Sequence, residues 1–377
     1  MLSLRDRIRS AMPPVKKAEK TEAEAERTCW ERCCVFPAKE CGLPDIIPSH
    51  ALRLVFGEEC SPLPLSEVLF LDTETTGLSG GAGTLAFECG AGFFSQNGFE
   101  IRQYVIRDYC EEEAMLKKLA ALLEGKQAVC TFNGKTFDIP LLESRFVMNR
   151  MRFPHGLISL DLLHAARRVW KLRLGRCNLS MLEEKVLGKG RGEDLPGSQV
   201  PERFFTYLKT RDFSCFEDVL SHNLQDVKSL ADVLHALILS HEAPESLTED
   251  EDIYSVGRVL EKRGETARAR RCFRLADRGS LSALSRTQLA ESFRKDKQYD
   301  KAAEVWRIMI KSRQGGLFPY IALAKLLEHR MKDTEGAMRV TAQAMFLAAE
   351  RNDPLHAELE KRYLRLDDKL RRQKNGT

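Results

Sequence analysis

The stretch that most constrains this chain is Val68-Leu69-Phe70-Leu71 running into Asp72-Thr73-Glu74-Thr75-Thr76-Gly77-Leu78. A short apolar run bounded by turn residues reads as a buried strand. Alternate residues of a strand share a face, so Asp72 and Glu74 aim together near the end of a central strand. Two like charges held that close are costly unless a cation lies between them. Hard oxygen ligands suit Mg²⁺ or Mn²⁺. Two solvated carboxylates at a strand end fit this stretch, taken alone, about as well. The remainder of the chain has to decide.

A chain of 377 residues is too long for one ordinary core and implies two or three domains. With 30% charged and 43% hydrophobic residues the composition is that of a globular protein. The net charge is only +4, but it is unevenly spread. Residues 145–176 hold eight Arg or Lys against one acid, Asp161, and residues 253–316 hold sixteen basic residues against seven acidic. Basic stretches beside a carboxylate site point to a polyanionic partner such as nucleic acid, while solvated helix faces are the plainer reading. The eleven cysteines, an odd number scattered through core-like sequence, suit a reducing cytoplasm. The N-terminus shows no apolar secretory segment, and no run approaches the length of a membrane span.

Residues 1–64 read as a polar lead, flexible in part, followed by a small covering segment. Cys29, Cys33, Cys34 and Cys41 fall in that segment; they could hold Zn²⁺ or simply pack, with Trp30 and Phe36, onto the next domain. From Val68 the pattern is α/β. Strands are expected over 68–73, 84–94, 100–107 and 128–132, with an amphipathic helix over 111–124 opened by three glutamates. Glycines 77, 80, 81 and 83 make the first connection a loop able to approach a ligand closely, and no Gly-Lys-Ser/Thr follows to make it a P-loop. The order implies a mixed sheet flanked by helices over 65–242.

Further carboxylates arrive in order. Asp138 precedes Ile139-Pro140, where it could cap a helix or serve a site. Asn133 sits at a strand end. His222 and Asp226 are four apart in a helical pattern and share a face. They could be a structural His–Asp pair, or a metal ligand with a general base beside it.

Asp72-x-Glu74 after a hydrophobic strand, a middle Asp138 and a late helical Asp226 preceded by His222 resemble the DEDD exonuclease arrangement on a ribonuclease H-like fold. The blocks Phe70–Leu78, Thr84 with Phe87, Thr131–Lys135 with Phe137-Asp138, Asp161–Arg168 and His222-Asn223 with Asp226 are similar to the YprB-type ribonuclease H-like family over roughly 65–240. The segment Arg191–Gly197 resembles that family too, without a chemical role we can derive. The resemblance implies two Mg²⁺ or Mn²⁺ ions held by Asp72, Glu74, Asp138 and Asp226, with His222 as the base. His222 departs from the pattern: it lies four before Asp226, where the family's other subgroup carries Tyr, rather than five before it. Asp161 is an outer-shell carboxylate or a core-facing cap. Thr75, Asn133, Lys135, Arg145, Arg150, Arg152, Arg167, Arg168 and Lys171 are candidates for substrate or phosphate contacts.

The last third shows a 34-residue period. Val256, Ala290 and Ala324 line up, as do Ala269, Ala303 and Ala337, and Tyr299–Ala302 with Trp306 resembles the second helix of a tetratricopeptide repeat. Helical repeats are expected over 250–372, three hairpins and an end helix, suited to a protein partner or to substrate docking; a plain helical bundle is the alternative. The whole reads as a cytoplasmic metal-dependent nuclease, a 3′–5′ exonuclease acting on DNA or RNA. The alternative is a catalytically silent nucleic-acid- or protein-binding scaffold on the same fold.

Overall fold

In a computed structural model that describes residues 28–57, 59–77, 83–190 and 195–375, the apolar run becomes the centre of a sheet. The N-terminal lead, Gly80, Gly81 and Arg191–Asp194 lie outside the described residues. Six strands form the sheet: β1 (Trp30–Phe36), β2 (Val68–Thr75), β3 (Ala86–Ser95), β4 (Gly98–Val105), β5 (Ala128–Thr131) and β6 (Ile158–Asp161). Their spatial order is β1-β4-β3-β2-β5-β6. The β1, β4, β3 and β2 neighbours pair antiparallel, whereas β2–β5 and β5–β6 pair parallel.

A mixed sheet flanked by helices and followed by an all-α region, as expected, is therefore what the chain adopts. The covering segment is more intimate with the fold than its sequence suggests, because β1 runs the full length of β4 as the sheet's edge strand. Cys33 and Cys34 are consecutive on that strand and so face opposite ways. Cys29 and Cys41 are buried in different core layers. The four thiols do not converge on one metal.

Helices cover both faces. On one side pack α2 (Glu112–Leu123), α3 (Asp138–Met148) and α6 (Val200–Thr210). On the other lie α1 (Ser49–Phe56), α4 (Leu162–Leu174), α5 (Leu179–Lys185) and the 26-residue α7 (Glu217–Glu242). The alternation of β2 feeds both layers: Val68 and Phe70 join the second core, Leu69 and Leu71 the first.

Helix α7 comes close to the sheet because β3 offers glycines. A Cβ on Gly90 would stand 2.1 Å from the Asn223 Oδ1 and 2.8 Å from Val227, and one on Gly92 would meet Val227 at 2.8 Å. Such contacts are well inside van der Waals distance, so these positions accept no side chain unless α7 retreats.

The C-terminal region is helical throughout: α8 (Asp250–Lys262), α9 (Thr266–Leu275), α10 (Ser282–Lys295), α11 (Tyr299–Lys311), α12 (Phe318–Leu326), α13 (Thr334–Glu350) and α14 (His356–Asn375). The period-matched residues Val256, Ala290, Ala324, Ala269, Ala303 and Ala337 are all buried. They sit where paired helices meet, as at Gly257, whose absent Cβ would lie 2.8 Å from Cys272. The helical region and the second sheet layer share one continuous core. Charged contacts pin them together: the Arg173 guanidinium on α4 donates to both oxygens of the buried Asp252 on α8 at 2.8–3.0 Å, and Arg53 on α1 donates to Glu265 at 2.6 Å. Among the described residues no helix is long and apolar enough to cross a membrane.

Candidate active site

Asp72 and Glu74 occupy the C-terminal end of β2, paired opposite Gly90 and Glu88 of β3. Asp72 is held from α7: the Asn223 Nδ2 donates to its Oδ2 at 3.0 Å. On the same helix, His222 lies with its Nε2 3.5 Å from Asp226 Oδ2 and 3.8 Å from Glu74 Oε1. Helix α7 thus reaches the strand end through His222 and Asn223, with Asp226 one turn on beside His222. Asp138 arrives from the opposite layer as the buried first residue of α3. Its side chain does not cap the helix; the cap position belongs to Phe137. Instead the Thr73 hydroxyl donates to Asp138 Oδ1 at 2.5 Å, tying α3 to the middle of the Asp-x-Glu segment.

These acids act on one another's charge. Burial pushes Asp72 well above the ordinary carboxylate range, and the charges of Asp226, Glu74 and Asp138 push it further. Asp138 is raised to about 6, mainly by burial, against the lowering effect of the Thr73 hydrogen bond. Gathering three carboxylates around the half-buried Asp72 costs stability unless positive charge joins them. Among the described residues no three His, Cys, Asp or Glu side chains are grouped closely enough, as they stand, to hold a metal ion. The donor set nonetheless fits Mg²⁺ or Mn²⁺: its atoms are carboxylate oxygens, and cation charge is what relieves the repulsion at Asp72.

A second layer that sequence reasoning missed holds Asn223 in place. The Gln103 Nε2 on β4 reaches Asn223 Oδ1 at 3.1 Å, Glu88 Oε1 at 2.9 Å and the Leu220 carbonyl at 2.8 Å. Arg32 on β1 in turn donates to Gln103 Oε1 at 2.6 Å. This buried row runs from the sheet's edge strand to Asp72. Glu88 is fully buried, its Oε2 has no hydrogen-bond partner, and burial lifts its pKa to about 8. The only sequence signal was a Gln following Phe99 and Ile101 on an otherwise apolar strand face.

The remaining candidates divide. Asp161 caps α4 through the Leu163 N–H at 3.0 Å and also accepts the Asn133 N–H at 3.0 Å and the Lys135 N–H at 3.2 Å. It therefore shapes the loop after β5. Asn133 has a left-handed φ of 71° and its Oδ1 accepts the Thr136 hydroxyl at 2.9 Å, so it is a turn residue at the site's rim. Lys135 is exposed on the same loop. Thr75 is buried and its hydroxyl donates to the Gly77 carbonyl at 2.8 Å.

Of the basic residues, Arg145 is taken up by the buried Glu112, with its Nη2 at 2.7 Å from Oε2, and Arg168 donates to the Val55 carbonyl at 2.6 Å. Those two guanidinium groups serve packing between elements. Arg167 and Lys171 are exposed.

A sequence model of the RNase_H superfamily matches residues 69–238. Over 314 residues the chain is 30% identical to "Uncharacterized protein YprB" of Bacillus subtilis (strain 168), covering 81% of this chain and 75% of that one. Among solved structures, the family B DNA polymerase from the hyperthermophilic archaeon Pyrobaculum calidifontis matches 55% of this chain and 30% of its own, with a TM-score of 0.39 and 15% identity. At that distance the polymerase carries no argument about this site.

Proposed function

Because the chain belongs to the YprB family of the ribonuclease H superfamily, we propose that it is a metal-dependent nuclease, a 3′–5′ exonuclease that hydrolyses phosphodiester bonds of DNA or RNA. The observation that carries this reading is the half-buried Asp72 at the strand end, with Asp226, Glu74 and Asp138 all acting on its charge. A silent scaffold would gain nothing from so unfavourable a gathering of acids.

Asp72, Glu74, Asp138 and Asp226 would hold two Mg²⁺ or Mn²⁺ ions. When bound, such ions supply positive charge against the charge that develops on phosphorus oxygens during hydrolysis. The chain's own residues do the rest. Asn223 fixes the Asp72 carboxylate, and Thr73 fixes Asp138. The His222 imidazole, between Glu74 and Asp226, takes the proton of the attacking water. Water oxygen bonds to phosphorus, the bond from phosphorus to the 3′ oxygen of the preceding nucleotide breaks, and that oxygen leaves as a hydroxyl after protonation from solvent. The released nucleotide keeps a 5′-phosphate. The Asn133–Lys135 loop, anchored on Asp161 and leading into Asp138, would contact the strand.

The helical region would act as tetratricopeptide-like repeats that dock substrate or a protein partner. No membrane role is proposed, and the reading is of a cytoplasmic enzyme.

The test is degradation of end-labelled single-stranded DNA and RNA with Mg²⁺ or Mn²⁺, comparing the wild type with Asp72→Asn. Loss of at least a thousandfold in rate in Asp72→Asn is expected. Equal rates in the two proteins contradict the reading.

A further inference from the structure

Two clefts on the α4 side of the molecule share Arg167 and Lys171 as walls. One begins at Phe132 and Asn133, at the rim of the carboxylate site, and continues past Arg176. The other, of about 610 Å³, lies between α4 and α8 and includes Arg258 and Lys262. No Asp or Glu lines either cleft.

The cations come in helical pairs. Arg167 and Lys171 are four apart on α4, and Arg258 and Lys262 are four apart on α8, which packs against it. Like charges at this spacing lower helix stability. All four are exposed, as is Arg176, and among the described residues none of the five has a carboxylate partner. Arg168 and Arg263 line the same cleft, and the Arg263 charge depresses Arg168 below its ordinary range, beyond the larger effect of desolvation. The Arg263 Nε is buried with no hydrogen-bond partner. Several basic residues elsewhere are neutralised, as with Arg173 on Asp252, Arg145 on Glu112 and Arg53 on Glu265. Here it leaves a continuous cationic row that starts at the site's rim and crosses from the sheet domain to the helical region.

We propose that this row binds the phosphodiester backbone of a single nucleic-acid strand whose end enters the carboxylate site. The inference rests on the nuclease reading for its choice of ligand. A row one residue wide tracks one backbone. Helix α4, with 13 residues at about 1.5 Å each, spans roughly 20 Å, room for several phosphates of one strand. The helical region is then part of the substrate track, with α8 supplying its far end.

The charge-reversed variant Arg258→Glu/Lys262→Glu tests this on the full chain. Affinity for a fluorescein-labelled oligothymidylate of about 20 nucleotides is read by anisotropy in chelator, where no hydrolysis occurs. The dissociation constant should rise at least tenfold. The slope of log affinity against log salt should flatten by about 1.4, the release expected for two phosphates on a single strand. With Mn²⁺ added, the ratio of long-strand to trinucleotide hydrolysis should fall by at least tenfold. In the wild type, the same oligonucleotide should protect Lys171 and Lys262 from acetylation several-fold, a readout independent of any variant's folding.

Unchanged affinity and slope in a variant that melts like the wild type overturn the proposal, as does unprotected lysine. So does a glutamate-rich peptide that competes with the oligonucleotide at equal strength while the charge-reversed variant still binds it. If affinity falls as expected but neither protein hydrolyses any strand, the track stands and the nuclease reading fails.

Discussion

Asp72 is surrounded by groups that either repel its charge or hold its position, and the second kind make the sharper predictions. Asn223→Ala removes the donor to Asp72 Oδ2 and leaves Gln103 short of an acceptor. Partners of this kind are typically worth about 10- to 100-fold in metal affinity or activity. We expect the Mn²⁺ concentration for half-maximal hydrolysis to rise by that factor, with a stability loss of about 1–3 kcal/mol. An unchanged Mn²⁺ dependence would remove Asn223 from the account.

Glu88 gives a prediction in pH. Its folded pKa of about 8 stands above the ordinary 4.5, so the folded state holds a proton that the unfolded state has lost. The associated stability is present below about pH 4.5 and disappears as pH rises to about 8. Glu88→Gln lacks the titration. Relative to the variant, the wild type should lose on the order of 3 kcal/mol between pH 5 and pH 9 in urea melts. Parallel pH profiles for the two proteins would contradict this.

At this scale the first ligands were visible in the sequence because each acid follows a local signal, a strand end or a helical turn. The row from Arg32 through Gln103 to Asn223 was not, since it joins residues 71 and 120 positions apart by side-chain contact alone. The partners of Arg145 and Arg168 were hidden for the same reason: Glu112 and the Val55 carbonyl are distant in sequence.

Among elements, the contact between β3 and α7 sets the site. Gly90→Ala would push a Cβ into Asn223 and Val227. Moving α7 away displaces His222, Asn223 and Asp226 together, so activity should fall further than the usual overpacking cost of about 1–3 kcal/mol would suggest. Hydrolysis rate and thermal stability measured side by side check it; a stable variant with full activity would show that α7 has slack.

The strands β2, β3 and β5 and helix α2 were legible because their apolar patterns are local and bounded by turn residues. The place of β1 was not. Its alternation says strand, but only pairing with β4, over sixty residues later, makes it the sheet's edge. The helical hairpins were legible from small residues repeating at a fixed period, buried as a set in the structure.

Across the whole molecule, one core runs from the sheet into the helical region. The buried Asp252 ties them through Arg173, and burial raises its pKa despite that partner. Removing one member of a buried pair costs about 3–5 kcal/mol. Arg173→Ala should therefore lower stability by roughly that amount. If the helical region melts independently, calorimetry will show two transitions in place of one, and the shared core will not be the coupling we describe.

Whether Asp72, Glu74, Asp138 and Asp226 form a cation site is read out by Mn²⁺ binding to chelator-treated protein. Calorimetry at pH 7.5, above the Asp138 value of about 6, should show up to two ions bound, with weaker binding at pH 5.5 as the acids gain protons. Asp72→Asn should reduce the affinity by at least tenfold. Mn²⁺ binding that is absent in the wild type, or equal in Asp72→Asn, would contradict the account.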